Sequence, residues 1–123
     1  MHGTAEDLRA QFGGLAQMLA PQYPPPSNAV TTRDVDIGGG ILARIYTPQS
    51  SHGKHLPVGI YAHGGGFVIG SLDMEDLFCR AIVEHVQTIL VSIDYRLAPE
   101  HKAPAQLEDV VKGFSWVRGL LHP

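Results

Sequence analysis

Several things are scarce in this sequence, and each scarcity excludes something. Cys79 is the single cysteine, so no internal disulfide can form, which fits a reducing compartment. Nine basic residues face twelve acidic ones for a net charge of −3, which gives no electrostatic case for nucleic acid. No run of about 18 apolar residues occurs, so no membrane span is expected. The start, Met1 to Asp7, lacks the basic region and apolar core of a secretory leader, and a cytoplasmic protein is the expectation. The histidines His2, His52, His55, His85, His101 and His122 are scattered without metal-ligand spacing, so neither a metal nor another cofactor is expected. What remains is a globular composition, 44% hydrophobic and 17% charged. At 123 residues, length alone suggests one complete small domain.

The pattern of apolar residues gives the elements. Thr4 with Asp7 resembles a capping box, and Leu8, Phe12, Leu15 and Leu19 follow as one helical stripe. Ala20-Pro21 ends this helix, and Tyr23 to Asn28 is a stiff proline-rich connector. Thr31 to Ile37 and Ile41 to Thr47 read as two strands joined by Gly38-Gly39-Gly40, hence an antiparallel hairpin. Gln49 to His55 is a polar loop. Pro57 to Ala62 is a continuously apolar run, as in a strand buried on both faces of a parallel sheet. A helix follows, with Met74, Leu77, Phe78, Ala81, Ile82, His85 and Val86 at helical spacing and Asp73 as its N-cap. Thr88 to Ile93 is a fourth strand. A last helix has Pro104 in its first turn and an apolar face of Leu107, Val110, Val111, Phe114, Val117 and Leu121. Helix, hairpin, strand, helix, strand, helix places the chain in the α/β class, ending in a β-α-β-α unit.

A glycine-rich loop, His63-Gly64-Gly65-Gly66, directly follows the third strand. The dinucleotide fingerprint needs a glycine where Ile69 stands, and the phosphate loop needs a lysine where Ser71 stands, so both nucleotide readings fail. An oxyanion hole survives: backbone N–H groups can stabilise charge developing on an acyl oxygen, and glycines admit the substrate without a side chain in the way. Such a loop is a feature of α/β-hydrolase lipases and esterases. A second motif, Asp94-Tyr95-Arg96-Leu97-Ala98-Pro99-Glu100-His101, follows the fourth strand, and Asp109 lies in the next helix.

With His63 to Phe67, these residues resemble the hormone-sensitive-lipase-like esterases of the α/β-hydrolase family, from about Val30 to Leu121. The resemblance implies an incomplete α/β-hydrolase fold: residues 1–29 a cap-type helix and connector, 30–123 the N-terminal part of a catalytic domain. It implies that Gly65 and Gly66 donate their N–H groups to the oxyanion, while His63 and Gly64 support the loop. Phe67 would shape the acyl or alcohol pocket, and Asp94, Tyr95, Arg96 and Glu100 would brace the site. On charge alone, Arg96 is expected in a partly buried network with Asp94 and Glu100. The implied partner is a small ester substrate.

The resemblance also implies parts that this chain does not carry. A serine esterase of this fold needs G-x-S-x-G, then an acid and a histidine. Ser27, Ser50, Ser51, Ser71 and Ser92 lack glycines on both sides, and Gly113-Phe114-Ser115-Trp116-Val117 matches only the first half, within a predicted helix. Nucleophile, acid, base and the third oxyanion donor are therefore expected beyond Pro123. The strand at Val58 to Ala62 would then be an open apolar edge inviting self-association. The alternative reading is a non-catalytic, truncated product acting as an interaction protein. The remaining polar candidates have plain readings: His101 in a structural turn, His85 as a half-buried packing residue, Cys79 as an inert core thiol, and Glu75 and Asp76 as helix N-terminal charges.

Overall fold

The computed structural model describes residues 3–51 and 54–122, so His2 and His52 lie outside it. The elements are α1 (Ala5–Leu19), β1 (Val30–Asp36), β2 (Leu42–Pro48), β3 (Val58–Ala62), α2 (Asp76–Val86), β4 (Ile89–Ile93) and α3 (Ala105–Leu121), in the order the sequence predicts. Short 3₁₀ turns at Ala20–Gln22 and Gln49–Ser51 follow α1 and β2. The capping box is formed: the Thr4 hydroxyl accepts the Asp7 N–H at 3.1 Å, and the Asp7 carboxylate accepts the Thr4 N–H at 3.0 Å. Such a cap stabilises a helix by about 1 kcal/mol. The stripe behind it is not buried, and Phe12 and Leu15 are both exposed.

The sheet has the order β1-β2-β4-β3. β1 and β2 form the antiparallel hairpin, from Val30 opposite Pro48 to Asp36 opposite Leu42. β4 runs antiparallel to β2 and parallel to β3, with Val58 opposite Ile89 and Ala62 opposite Ile93. A parallel pair needs a crossover, which α2 supplies. Side-chain alternation sends Ala43, Val91 and Ile93 to one face, where they pack with Ile37, Ile41, Tyr95 and Val117 of α3. Tyr46 and Leu90 point to the other face, against Cys79 and Val83 of α2. The result is helix, sheet, helix, with α1 outside both cores. No helix among the described residues is long and apolar enough to cross a membrane.

Four expectations need correction. β3 is half-buried rather than buried on both faces, because it is the outer strand of the sheet. Asp73 does not cap α2. Glu75 occupies the N-cap position without a side-chain cap, and the Ser71 hydroxyl accepts the Met74 N–H in the preceding turn. Met74, Leu77, Phe78 and Val86 are exposed, as is His85, because α2 packs through Cys79 and Val83, four residues apart. Pro104 stands just before α3 rather than inside it, and α3 buries Ala105, Asp109, Gly113 and Val117 at four-residue spacing. Leu107, Val111, Phe114 and Leu121 are exposed instead.

The small residues on that buried stripe let α3 lie close to β4. A Cβ on Gly113 would come within 2.8 Å of Ile93 Cγ1, and Ile93 is fully buried with nowhere to retreat. Gly113→Val is therefore expected to destabilise the chain by about 1–3 kcal/mol through overpacking, seen as a lower midpoint in urea. An unchanged midpoint would mean that α3 can lift off the sheet freely.

Candidate active site

The glycine loop leaves the C-terminal end of β3 and turns sharply back. The Val68 and Ile69 N–H groups both donate to the Gly65 carbonyl, at 3.2 and 3.1 Å. Gly65 has φ +134 and Gly66 φ +61. At Gly65 the requirement is spatial as well as conformational, since a Cβ there would sit 2.6 Å from the Ile69 carbonyl carbon. Phe67 also adopts a positive φ of +66, is 61% exposed, and offers its carbonyl to the Ala98 N–H at 2.8 Å. Among the described residues, the N–H groups of Gly65 and Gly66 have no hydrogen-bond partner. The loop thus presents these two adjacent amide donors, with the Phe67 N–H beside them, free of any hydrogen bond to the described residues.

The groups around them are tied down. His63 is buried, stacked on Tyr95 with ring centroids 4.2 Å apart, and its carbonyl accepts the Tyr95 hydroxyl. His63 Nδ1 lies 2.9 Å from the Gly64 carbonyl, while Nε2 is buried without a partner among the described residues. The Gly64 N–H donates to Glu75 at 2.9 Å, and the same carboxylate accepts the Tyr61 hydroxyl. Glu75 is thus more than a helix-end charge. Asp76 is likewise engaged: it accepts from Tyr46 at 2.7 Å, Arg44 at 3.0 Å and Arg80 at 2.7 Å.

The turn after β4 is braced differently from the expectation. Arg96 does not pair with Asp94 or Glu100. Its guanidinium grips both carboxylate oxygens of Asp109 at 2.9 Å, its N–H donates to Asp109 at 2.8 Å, and Glu108 lies 3.5 Å away. The α3 stripe places Asp109 on the buried face under Arg96, which outcompetes residues nearer in sequence. Glu100 pairs instead with Arg9 of α1, whose guanidinium also donates to the Val68 and Ala98 carbonyls, each at 2.8 Å. The Arg9 hydrogen bond holds the Glu100 carboxyl down to about 2. Asp94 is half-buried, its carboxyl pushed up by burial, and its N–H donates to the Leu42 carbonyl at 2.9 Å. His101 has an exposed side chain, and its backbone bonds Leu97 and Gln106 within the turn.

An apolar cleft of about 460 Å³ opens beside the loop, lined by Ala62, His63, Phe67, Tyr95, Leu107 and Val110 among others. Ser115 lies exposed within α3, not at a strand-to-helix turn, and Ser92 is buried in β4. Cys79 is buried, and burial pushes its thiol up to about 11, away from the reactive thiolate. Among the described residues, no three His, Cys, Asp or Glu side chains gather to hold a metal ion.

Burial alone would raise the Asp109 carboxyl, but hydrogen bonds from the Arg96 side chain and N–H outweigh it and hold the group below its ordinary value. A carboxylate held down in the folded state takes up a proton more readily once unfolded. Its contribution is therefore full above the ordinary aspartate value of about 3.9 and is lost as pH falls below it. Asp109→Asn is expected to lose about 1–3 kcal/mol at neutral pH. It should also flatten the acid-side decline of stability in urea melts taken from neutral pH down to about 2. An acid profile identical to the unaltered chain's would dismiss the Arg96 contact as a stabiliser.

Residues 59–120 match the family described as alpha/beta hydrolase fold. Over 115 residues the chain is 44% identical to the versiconal hemiacetal acetate esterase of Aspergillus parasiticus, covering 92% of this chain and 36% of that protein. Among solved structures, it is 38% identical to an esterase of Pyrobaculum calidifontis with a TM-score of 0.79, over 94% of this chain and 38% of the other. An esterase of the bacterial hormone-sensitive lipase family superposes on the whole chain with a TM-score of 0.80 at 27% identity, over 39% of its own length. The chain therefore spans little more than a third of the length of the relatives it matches. On the match to the family, with this loop at the end of β3, the chain belongs to the α/β-hydrolase family, in the branch of the hormone-sensitive-lipase-like esterases.

Proposed function

We propose that this chain carries the oxyanion-hole part of a carboxylic-ester hydrolase. The observation that supports this reading is the pair of unpartnered N–H groups on Gly65 and Gly66, held in a loop whose Gly64 N–H, His63 carbonyl and Gly65 carbonyl are all engaged. In acyl transfer the carbonyl oxygen gains charge in the transition state, and each fixed donor aimed at it contributes about 2.7–4 kcal/mol. In this reading Gly65 and Gly66 are the donors, and His63 and Gly64 hold the loop. Phe67 shapes one wall of the cleft, and Asp94, Tyr95, Arg96 and Glu100 brace the turn beside it. Residues 1–29 act as a cap segment and residues 30–123 as the N-terminal part of the catalytic domain. The substrate is a small ester, no cofactor takes part, and the protein is cytoplasmic.

In this reading the nucleophile is not supplied by this chain, since none of its six serines stands in G-x-S-x-G, and the acid and base that follow the nucleophile in chain order are not supplied by it either. The 123 residues by themselves are expected to leave a short-chain p-nitrophenyl ester unhydrolysed above the buffer rate. Turnover abolished by a serine-directed reagent would overturn this. The reading frame beyond codon 123 provides an independent check, because the hydrolase reading needs it to continue into a G-[DE]-S-[AG]-G segment.

The outer position of β3 favours a second property, self-association. Its outward N–H and C=O groups have no strand beside them among the described residues. Sedimentation velocity of the isolated chain is expected to show dimers or larger species that grow with concentration. A single monomeric boundary together with a sharp, cooperative melt would count against it.

A further inference from the structure

Glu75 joins three pieces of the site through one carboxylate. Oε1 accepts the Gly64 N–H at 2.9 Å and Oε2 accepts the Tyr61 hydroxyl. Tyr61 lies near the end of β3, Gly64 opens the glycine loop, and Glu75 itself starts α2, with its carbonyl accepting the Cys79 N–H at 3.0 Å. The carboxylate is therefore anchored by the first turn of a helix that packs on the sheet. The Tyr61 ring is in turn held by Phe78 of the same helix, with centroids 6.0 Å apart.

Three consecutive glycines make the most freely rotating backbone a chain can have, and such a segment keeps one geometry only if its ends are held. Downstream, the Gly65 carbonyl is held by the Val68 and Ile69 N–H groups. Upstream, among the described residues, the Gly64 N–H is held by Glu75 alone, while the carbonyl of the same peptide accepts the Tyr95 hydroxyl. A carboxylate so near a place where negative charge is to develop would oppose that charge. Here both oxygens already take a donor, which blunts the effect.

We propose that Glu75 is a positioning residue for the oxyanion loop: it fixes the Gly64 peptide so that the Gly65 and Gly66 N–H groups stay aimed at one site. This rests on reading those two glycines as the oxyanion donors. The spacing carries no signal for it, since Glu75 reads in sequence as one of two adjacent helix-start acids.

The test follows backbone amides of the isotopically labelled 123-residue chain by NMR. In Glu75→Ala, exchange of the Gly64 amide is expected to accelerate about tenfold or more, the loss of one charge-assisted bond. The amides of Val91 and Ile93 in β4 should keep their rates, and the Gly65 and Gly66 signals should shift or broaden. Glu75→Gln keeps an acceptor oxygen and should restore most of the protection. Tyr61→Phe removes only the hydroxyl and should leave Gly64 protected, which a role confined to holding β3 would not predict. Unchanged Gly64 exchange in Glu75→Ala, or equal acceleration of Gly64, Val91 and Ile93, overturns the proposal. If Glu75→Ala does not fold, the unaltered chain decides: a through-hydrogen-bond coupling between the Gly64 amide nitrogen and the Glu75 carboxyl carbon is expected, and its absence overturns the proposal. None of these readouts needs ester turnover, so a reading frame that does not continue into a G-[DE]-S-[AG]-G segment sinks the hydrolase reading without touching this result.

Discussion

The parallel pairing of β3 with β4 is the constraint on which the candidate site depends. Parallel strands end at the same edge of a sheet, so the loop after β3 and the turn after β4 emerge side by side. The register that sets Ala62 opposite Ile93 puts His63 next to Asp94 and Tyr95. The stack of His63 on Tyr95 and the bond from the Tyr95 hydroxyl to the His63 carbonyl follow from that register. A shift by one residue would turn these side chains to the opposite face and undo the contact.

Around this edge, polar groups are satisfied by partners from distant segments. Arg9 comes from α1 to two carbonyls and Glu100, Asp109 comes from α3 to Arg96, and Glu75 comes from the start of α2 to Gly64. Each uses a charged group against backbone or an opposite charge, the stronger kind of hydrogen bond. Within this braced edge the N–H groups of Gly65 and Gly66 have no hydrogen-bond partner among the described residues, and Gly66 is exposed, so both are open to a partner from outside the chain.

The architecture was legible in the sequence because it rests on local signals. Strand and helix periods, the proline stops and the Gly38-Gly39-Gly40 turn are written within a few residues of where they act. The glycine loop was legible for the same reason, as a contiguous motif after a strand. The pairings were not. Arg96 lies two residues from Asp94 and four from Glu100, yet it bonds Asp109 thirteen residues away. Arg9 meets Glu100 across ninety-one residues, and nothing in the spacing of either announces it. The burial of α3 was misread because Leu107, Val111 and Phe114 look like a core face. Closeness to β4 selects the small stripe of Ala105, Gly113 and its neighbours instead. The larger apolar residues are left outward, as are Phe78 and Val86 on α2, while β3 forms the rim of the sheet.

By itself, then, the sequence determined the class of fold, the order of elements and the position of the glycine-rich loop, since each is encoded by residues adjacent along the chain. Only the tertiary structure decided which carboxylate holds which donor and which face of each helix is buried. Those outcomes depend on which segments come within about 3 Å of one another, and that distance is a property of packing, not of spacing along the chain.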